Sequence, residues 1–168
     1  MSVTISRRSD YAVRALVYLA ARDGGSAHRV GEIARNQGVP VPFLAKIVQQ
    51  LVAAGLLKSR RGRAGGVYLP AEAASSSVLD VVQAIDGPVA LNWCTMEPKR
   101  CGRWEMCAAH PLWARAQRLL EEVLGGASIA ELADAQRRID ALTVVEGNGS
   151  GPRQSGRTPA KARKGGAA

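Results

Sequence analysis

The chain has 168 residues, which is enough for one domain with a hydrophobic core and some appended segments. Its 23 basic and 14 acidic residues give a formal net charge of +9, which favours an anionic partner, nucleic acid ahead of an acidic membrane surface. Residues 146–168 hold +4 of that charge, so the rest of the chain keeps only +5.

Sequence marks of a secreted, membrane or enzymatic protein are missing. The N-terminus is polar without a following apolar segment, and no stretch approaches the ~18 apolar residues of a membrane span. The three cysteines, an odd number, argue against a disulfide framework. No Ser/His/Asp set, phosphate loop or pair of carboxylates stands out. We therefore expect a cytoplasmic protein that is not an enzyme and has no membrane partner.

The first part of the chain predicts three helices. Residues 9–21 form an amphipathic pattern, and a shorter helix is expected over residues 30–37, with Gly38 as its C-cap. A tight glycine-containing turn then leads to a third helix, which fits a helix-turn-helix; a plain helical hairpin is the alternative. The third pattern is the most regular, with apolar residues at i, i+3, i+4 and i+7: Leu44, Ile47, Val48 and Leu51.

A basic β-hairpin is predicted after the third helix. Short strands are expected at 56–59 and 67–69, joined by a glycine-rich turn. A helix-turn-helix followed by such a hairpin is the winged-helix arrangement. A phosphate-binding loop is the weaker alternative, because no GK[ST] or GxGxxG motif is present, and a charged hairpin without function is another. The tip of the hairpin carries Arg60, Arg61 and Arg63.

The second half predicts more helices around an irregular segment. A helix is expected over 78–85, an irregular stretch over 89–108, a long amphipathic helix from Pro111 to Gly125, and a short helix over 129–142. A winged helix can bury its own core, so the long helix needs another surface. We expect its copy in a second chain, with packing inside one chain as the alternative.

These patterns together predict a mainly α-helical fold with a small β-hairpin wing: a winged helix-turn-helix plus a long dimerisation helix. A two-fold dimer suits a palindromic site on double-stranded DNA. The predicted domains are 1–88, the DNA-binding winged helix; 89–108, a cysteine-rich loop; 109–145, the dimerisation helix and the short helix after it; and 146–168, a disordered basic tail.

The residues that would contact DNA lie on the third helix and the wing. The first residues of a recognition helix reach base edges in the major groove, where Gln pairs with adenine and Lys with guanine. Wing arginines suit a narrow minor groove. The predicted DNA-contacting residues are Pro42, Phe43, Lys46, Gln49, Gln50, Arg60, Arg61 and Arg63.

All three cysteines and one of the two histidines fall within seventeen residues, in the pattern C-x6-C-x5-C-x2-H. Such a cluster is typical of a metal or iron–sulfur site, and thiolates are the standard ligands of iron–sulfur clusters. A zinc site is a weaker alternative, because zinc sites usually contain close C-x2-4-C pairs. Redox-active thiols and inert buried cysteines are further alternatives. The candidate ligands are Cys94, Cys101, Cys107 and His110.

With these elements in place, the chain resembles the bacterial winged-helix regulators of the IscR/NsrR group over roughly residues 1–145. The combination of a basic wing with a three-cysteine loop makes the resemblance specific. The matching stretches are SDYAVRAL (9–16), FLAKI (43–47), KSRRGRAGGVYL (58–69), and the cysteine-rich loop that leads into HPLW (110–113).

The resemblance implies a homodimeric transcriptional regulator, a repressor, that senses redox state, nitric oxide or iron–sulfur status through an iron–sulfur cluster. In IscR-like members three cysteines and a histidine hold a [2Fe–2S] cluster, whereas NsrR-like members complete a [4Fe–4S] site with a carboxylate from the partner's first helix. Both fourth ligands have a candidate here, His110 and Asp10. We favour His110 and [2Fe–2S], because His110 is local to the loop.

The chain departs from the relatives at some positions. The first cysteine gap is six residues rather than five, so the cluster type does not carry over. Ala45 replaces a base-reading glutamate and Phe43 replaces a tyrosine, so the operator sequence does not carry over either. A cluster-free winged-helix regulator that senses oxidants through its thiols, or a small ligand, is the alternative function. An electron-transfer or cluster-carrier protein is the third.

Overall fold

The computed structural model describes residues 5–22, 25–97, 99 and 101–146. This part of the chain folds into seven α-helices and one two-stranded sheet, with 3₁₀ turns at Ala71–Ser75 and Trp104–Met106. No helix in the described ranges is long and apolar enough to cross a membrane. The elements are α1 (Arg7–Ala21), α2 (Val30–Gln37), α3 (Val41–Ala53), β1 (Lys58–Arg60), β2 (Gly66–Tyr68), α4 (Val78–Asp86), α5 (Trp93–Met96), α6 (His110–Gly125) and α7 (Ile129–Glu146).

Helix α1 lies at the centre of the fold. Ser6 begins it, because its side chain accepts a hydrogen bond from the Ser9 backbone N–H. The helix packs against α2, α3, α4 and α7, which explains why one face carries small or apolar residues. Its fully buried residues are Ser9, Ala12, Ala15, Leu16 and Leu19.

Helices α2 and α3 form the predicted helix-turn-helix. Gly38 ends α2 in the left-handed region at φ 63°, and its backbone N–H donates to the carbonyl groups of Ala34 and Arg35. Val39 is buried beneath the turn, and Pro42 lies in the first turn of α3, where a missing N–H costs nothing. The apolar positions predicted for α3, Leu44, Ile47, Val48 and Leu51, are all buried.

The wing is joined to the helical body by an isolated backbone bridge between Val67 and His28. Strands β1 and β2 pair antiparallel in the register Ser59 opposite Val67. On its other edge Val67 exchanges two backbone hydrogen bonds of 2.9 Å with His28. The backbones approach so closely that a Cβ on Gly66 would lie 2.3 Å from the His28 carbonyl oxygen. The predicted winged-helix fold, mainly helical with a two-stranded wing, is therefore confirmed.

The chain returns to this core after α6. Ser77 and Ser128 form an isolated bridge, with the Val78 N–H donating to the Ala127 carbonyl at 2.9 Å. Helix α7 then packs against α1, and its first residue, Ile129, is fully buried in the winged-helix core. The predicted short helix is instead the longest of the described helices, since no glycine after Gly126 interrupts it before Gly147.

Between α4 and α7 the fold is more open. The stretch predicted as irregular contains α5 and the 3₁₀ turn Trp104–Met106. Helix α6 packs against α4 and α5, yet Gln117 is its one buried residue. Large apolar side chains remain exposed along α6: Leu112, Trp113, Leu119 and Val123. The predicted tail, apart from Glu146, lies outside the described residues.

Candidate nucleic-acid interface and cysteine loop

The exposed side of α3 carries most of the residues predicted to read DNA. Pro42, Phe43, Lys46 and Gln49 are all exposed, whereas the apolar side of the helix faces the core. Gln50 differs, because it is half-buried and its side-chain oxygen accepts a hydrogen bond from Arg8 of α1. Gln50 therefore links α1 to α3, while the other four side chains face solvent.

The wing presents its predicted arginines to solvent. Arg60, Arg61 and Arg63 are exposed, and the Arg60 guanidinium lies 5.1 Å from the centre of the Tyr68 ring. Gly62 adopts φ 106° at the tip, a conformation that favours glycine. Stacking holds Arg60 against the hairpin, which leaves Arg61 and Arg63 at the tip.

Three further arginines face the same region, and sequence reasoning missed them. Arg29 donates to the Arg63 carbonyl at 3.3 Å, and a groove of about 840 Å³ between α2 and the wing is lined by Arg29, Arg35 and Arg63. Arg7 lies at the start of α1, beside α3. Arg29 and Arg35 lie at α2 and Arg7 lies in α1, so only the fold brings the first two beside the wing and the third beside α3.

Behind the wing, His28 connects α1, α2 and β2. Its Nδ1 lies 2.9 Å from the Glu32 carboxylate, and Tyr18 donates its hydroxyl to the same carboxylate at 3.3 Å. The hydrogen bond from His28 lowers the pKa of Glu32, although partial burial opposes this. Together with the backbone bridge to Val67, this network fixes the base of the wing.

The cysteine loop, residues 89–108, carries the predicted metal ligands. Cys94 lies in α5, Cys101 just before the 3₁₀ turn, and Cys107 just after it; all three thiols are free and half-buried. His110 begins α6, and its backbone N–H donates to the Cys107 carbonyl at 3.0 Å. Its Nδ1 is buried and makes no hydrogen bond within the described structure.

The predicted ligands are near one another in sequence but do not form a closed set. Within residues 5–22, 25–97, 99 and 101–146, no three His, Cys, Asp or Glu side chains come together as a metal site. Asp10, the other fourth-ligand candidate, is exposed on α1 and forms an ion pair with Arg14 at 3.7 Å. The donor types fit an iron–sulfur cluster, and the orphaned His110 nitrogen fits a ligand, but the loop would have to close around it.

Gln117 holds the start of the cysteine loop on α6. In the sequence it stands out only as a polar residue among the apolar positions of this helix. Its amide donates to the Val89 carbonyl at 2.7 Å, and its side-chain oxygen accepts from the Leu91 N–H at 2.8 Å. The amide also donates to Glu121 at 2.7 Å. Because Gln117 is only 7% exposed, these bonds anchor the loop just before Cys94.

Comparison with known proteins agrees with this architecture. Residues 5–135 match the model of the Rrf2 family, described as iron-dependent transcriptional regulators. Protein aau3 of Rhizobium meliloti (strain 1021) is 36% identical over 143 residues, which cover 84% of this chain and 92% of that protein.

Solved structures support the fold. The structure of CymR, the global cysteine regulator of B. subtilis, aligns with a TM-score of 0.65 at 26% identity, covering 79% of this chain and 97% of CymR. T. potens IscR aligns with a TM-score of 0.61 at 24% identity, covering 89% of this chain and 93% of that one.

The family match favours a regulator over an electron-transfer or carrier protein, and it confirms the resemblance read from the sequence. The basic surface formed by α3 and the wing fits DNA binding. The chain therefore belongs to the Rrf2 family and is a DNA-binding transcriptional regulator, not an enzyme.

Proposed function

We propose that the chain is a homodimeric cytoplasmic repressor whose binding to a palindromic operator is controlled by an iron–sulfur cluster on the cysteine loop. The observation that carries the proposal is the donor set: three free, half-buried thiols and a buried imidazole nitrogen without a partner, in one short segment. A buried polar nitrogen without a hydrogen bond is costly, and ligation would satisfy it.

Cys94, Cys101, Cys107 and His110 would hold the cluster, with [2Fe–2S] favoured over [4Fe–4S]. A cluster with three thiolates and an imidazole supplies a redox-active centre whose potential is raised by the nitrogen ligand. Asp10 of the partner subunit is the alternative fourth ligand. In one chain Asp10 forms an ion pair with Arg14 that is exposed and therefore weak. Asp10 could leave Arg14 and bind the cluster at little energetic cost.

The exposed apolar side of α6 supports the dimer. Val123 is 68% exposed and Leu119 51% exposed, in a helix whose opposite side packs on α4 and α5. A second copy of the same helix would cover these side chains in a two-fold contact. Two α3 helices would then face successive turns of the major groove.

The proposed control passes through the two ends of the cysteine loop. The loop begins shortly after α4, whose last residue, Asp86, is hydrogen-bonded to Ser9 of α1 and to Ser6, which caps that helix. It ends at α6, the proposed dimer helix. Ligation would fix the loop between these two helices and so set the angle between the two reading heads. Only a difference in operator affinity between the two states can drive such control.

The test is anaerobic purification followed by operator binding. We expect coloured wild-type protein with iron and acid-labile sulfide, and operator affinity that differs between cluster-loaded and cluster-free protein at fixed salt. Cys101→Ser should lose the colour, and either His110→Ala or Asp10→Ala should change the spectrum, which identifies the fourth ligand. Arg118→Ala, exposed on α6, is the matched control and should behave as wild type. Colourless protein with stoichiometric zinc, or equal affinity in both states, overturns the proposal.

One observation favours a second candidate, a cluster-free regulator that senses oxidants through its thiols. The three cysteines are separate and partly exposed, which suits thiol oxidation rather than ligation. This candidate predicts colourless protein whose operator affinity changes after treatment with peroxide and is restored by a thiol reductant.

A further inference from the structure

A cleft opens beside the recognition helix, between the start of α1 and the start of α3. Its volume is about 490 Å³. Apolar rings form its walls and two cations lie at its edge. The lining residues are Arg7, Tyr11, Pro40, Pro42, Phe43 and Lys46.

An aromatic pair forms the floor of the cleft. The edge of one ring meets the face of the other between Tyr11 and Phe43, with the ring centres 5.8 Å apart. Tyr11 is half-buried, and the Arg14 guanidinium lies over its ring, 5.6 Å from the ring centre. Phe43 therefore rests on a fixed partner, although 37% of it remains exposed on the face that would meet DNA.

The two cations at the edge are available for a ligand. Arg8 and Arg14 are engaged by Gln50 and the Gln37 carbonyl. The side chains of Arg7 and Lys46, by contrast, make no hydrogen bond or ion pair with any residue within the described ranges. The apolar floor with a cation on each side is therefore complementary to an apolar chemical group that is flanked by phosphates.

We propose that this cleft recognises a thymine in each half-site, with the C5 methyl group against Phe43 and the neighbouring phosphates on Arg7 and Lys46. Thymine is the base that shows an apolar group in the major groove, and contact with an apolar side chain is how proteins read it. Tyr11 is a positioning residue, because it fixes the Phe43 ring. The inference rests on the proposed role of α3 as the reading helix.

The test removes the methyl group from the DNA. A duplex is first selected from random sequence with the full chain, and each thymine is then replaced singly by deoxyuridine. We expect one position in each half-site where the replacement weakens binding about fourfold, the value of one methyl group moved out of water. At that position 5-methylcytosine paired with guanine should bind better than cytosine.

Variants assign the effect to the cleft. Phe43→Ala should bind the thymine and uracil duplexes equally, and Phe43→Leu should restore part of the preference for thymine. Arg61→Ala, on the wing, is the matched control: it should weaken binding to both duplexes and keep their ratio. The uracil scan uses the wild type, so it is decisive even if a variant folds poorly.

The outcomes separate this inference from the proposed role of α3. Thymine recognition by the cleft is overturned if all uracil variants of the selected operator bind as tightly as the parent duplex. It is also overturned if Phe43→Ala still prefers thymine over uracil. A duplex that is selected but bound equally well after α3 is altered at Lys46, Gln49 and Phe43 together overturns the role of α3 itself.

Discussion

The Ser9 hydroxyl donates a hydrogen bond of 2.6 Å to the carboxylate of Asp86, which joins the start of α1 to the end of α4. Ser9 is fully buried, and Ser6 adds two more hydrogen bonds to the same carboxylate. Partial desolvation of the Asp86 carboxyl opposes its ionisation, but these hydrogen bonds outweigh that effect and hold the pKa of the carboxyl below its usual value. The helix that carries Arg7 and Tyr11 is thereby fixed to the element that leads into the cysteine loop.

Ser9→Ala should lower the free energy of unfolding by about 1–2 kcal/mol at neutral pH, because a hydrogen bond to a carboxylate is lost. The folded-state pKa of Asp86 is depressed, so its contribution is complete above the ordinary pKa of an aspartate and is lost as pH falls through the lower folded-state value. The difference between wild type and variant should therefore shrink in acid. Urea unfolding across pH checks this, with Ser75→Ala, an exposed serine, as the control.

Gln117→Leu should destabilise the fold by about 1–3 kcal/mol, because the partly buried N–H of Leu91 and the partly buried carbonyl of Val89 lose their partner. The damage should stay local to the cysteine loop. Hydrogen exchange should show faster exchange at residues 89–95, with α3 unchanged. Gln136→Leu on α7, whose amide bonds an exposed aspartate, is the control. Uniform loosening of the whole chain would contradict the anchoring role.

Gly66→Ala should disrupt the wing, because its Cβ would lie 2.3 Å from the His28 carbonyl oxygen, a distance that neither backbone can accept without moving. Gly31→Ala in α2 is the control, since its Cβ would meet nothing within 4 Å and alanine favours helix. We expect a lower melting temperature and loss of operator affinity for the first variant, and an unchanged or higher melting temperature for the second.

Lys46→Ala and Arg61→Ala should each reduce the dependence of operator affinity on salt. A phosphate contact releases counterions, so its loss lowers the slope of log K against log salt concentration by about 1 per protomer. Arg138→Ala removes an exposed cation from α7, away from α3 and the wing, and should leave the slope unchanged. Binding at four salt concentrations measures all three. Equal slopes for wild type and the first two variants would exclude phosphate contacts at these residues.

Val123→Glu should dissociate the proposed dimer, because a charge would enter an apolar contact. Val123 is 68% exposed in one chain, so the substitution costs the monomer little stability. Sedimentation velocity should give the mass of one chain for the variant and twice that for the wild type. Arg118→Glu, exposed on the same helix but away from the face of Leu119 and Val123, controls for a change of charge. A wild-type monomer at high concentration would rule out the α6 interface.

The fold was predictable where local signals agreed. In α3 the apolar spacing of Leu44 and Ile47, the proline at the start and the glycine in the turn before it all indicate one helix, and the structure has it. The wing followed from its glycines and its two apolar runs, although β1 and β2 are each shifted by a residue or two from the predicted strands. The ends of these strands depend on long-range backbone contacts, such as the bridge between His28 and Val67, which no local sequence pattern reveals.

The site was predictable in part. Lys46, Gln49 and the wing arginines were identified from their place in the motif, whereas Arg7 and Arg29 were missed, because isolated cations acquire meaning only through tertiary contacts. The long-range partners of α7 were missed for the same reason: burial of Ile129 depends on α1, more than a hundred residues earlier. The spacing of the cysteines identified their region without fixing their mutual arrangement.

The bridge between Ser77 and Ser128 has a topological consequence. It brings the two ends of residues 78–127 together. The segment from Gly87 to Gly126 therefore leaves the core and returns to it at nearly the same place, as an inserted cassette does in an otherwise continuous DNA-binding domain. A cassette closed at its base can change in length or chemistry without disturbing α1, α3 or the wing. The proposed sensing loop and the proposed dimer helix can therefore be altered independently of the helix and the wing that bind DNA.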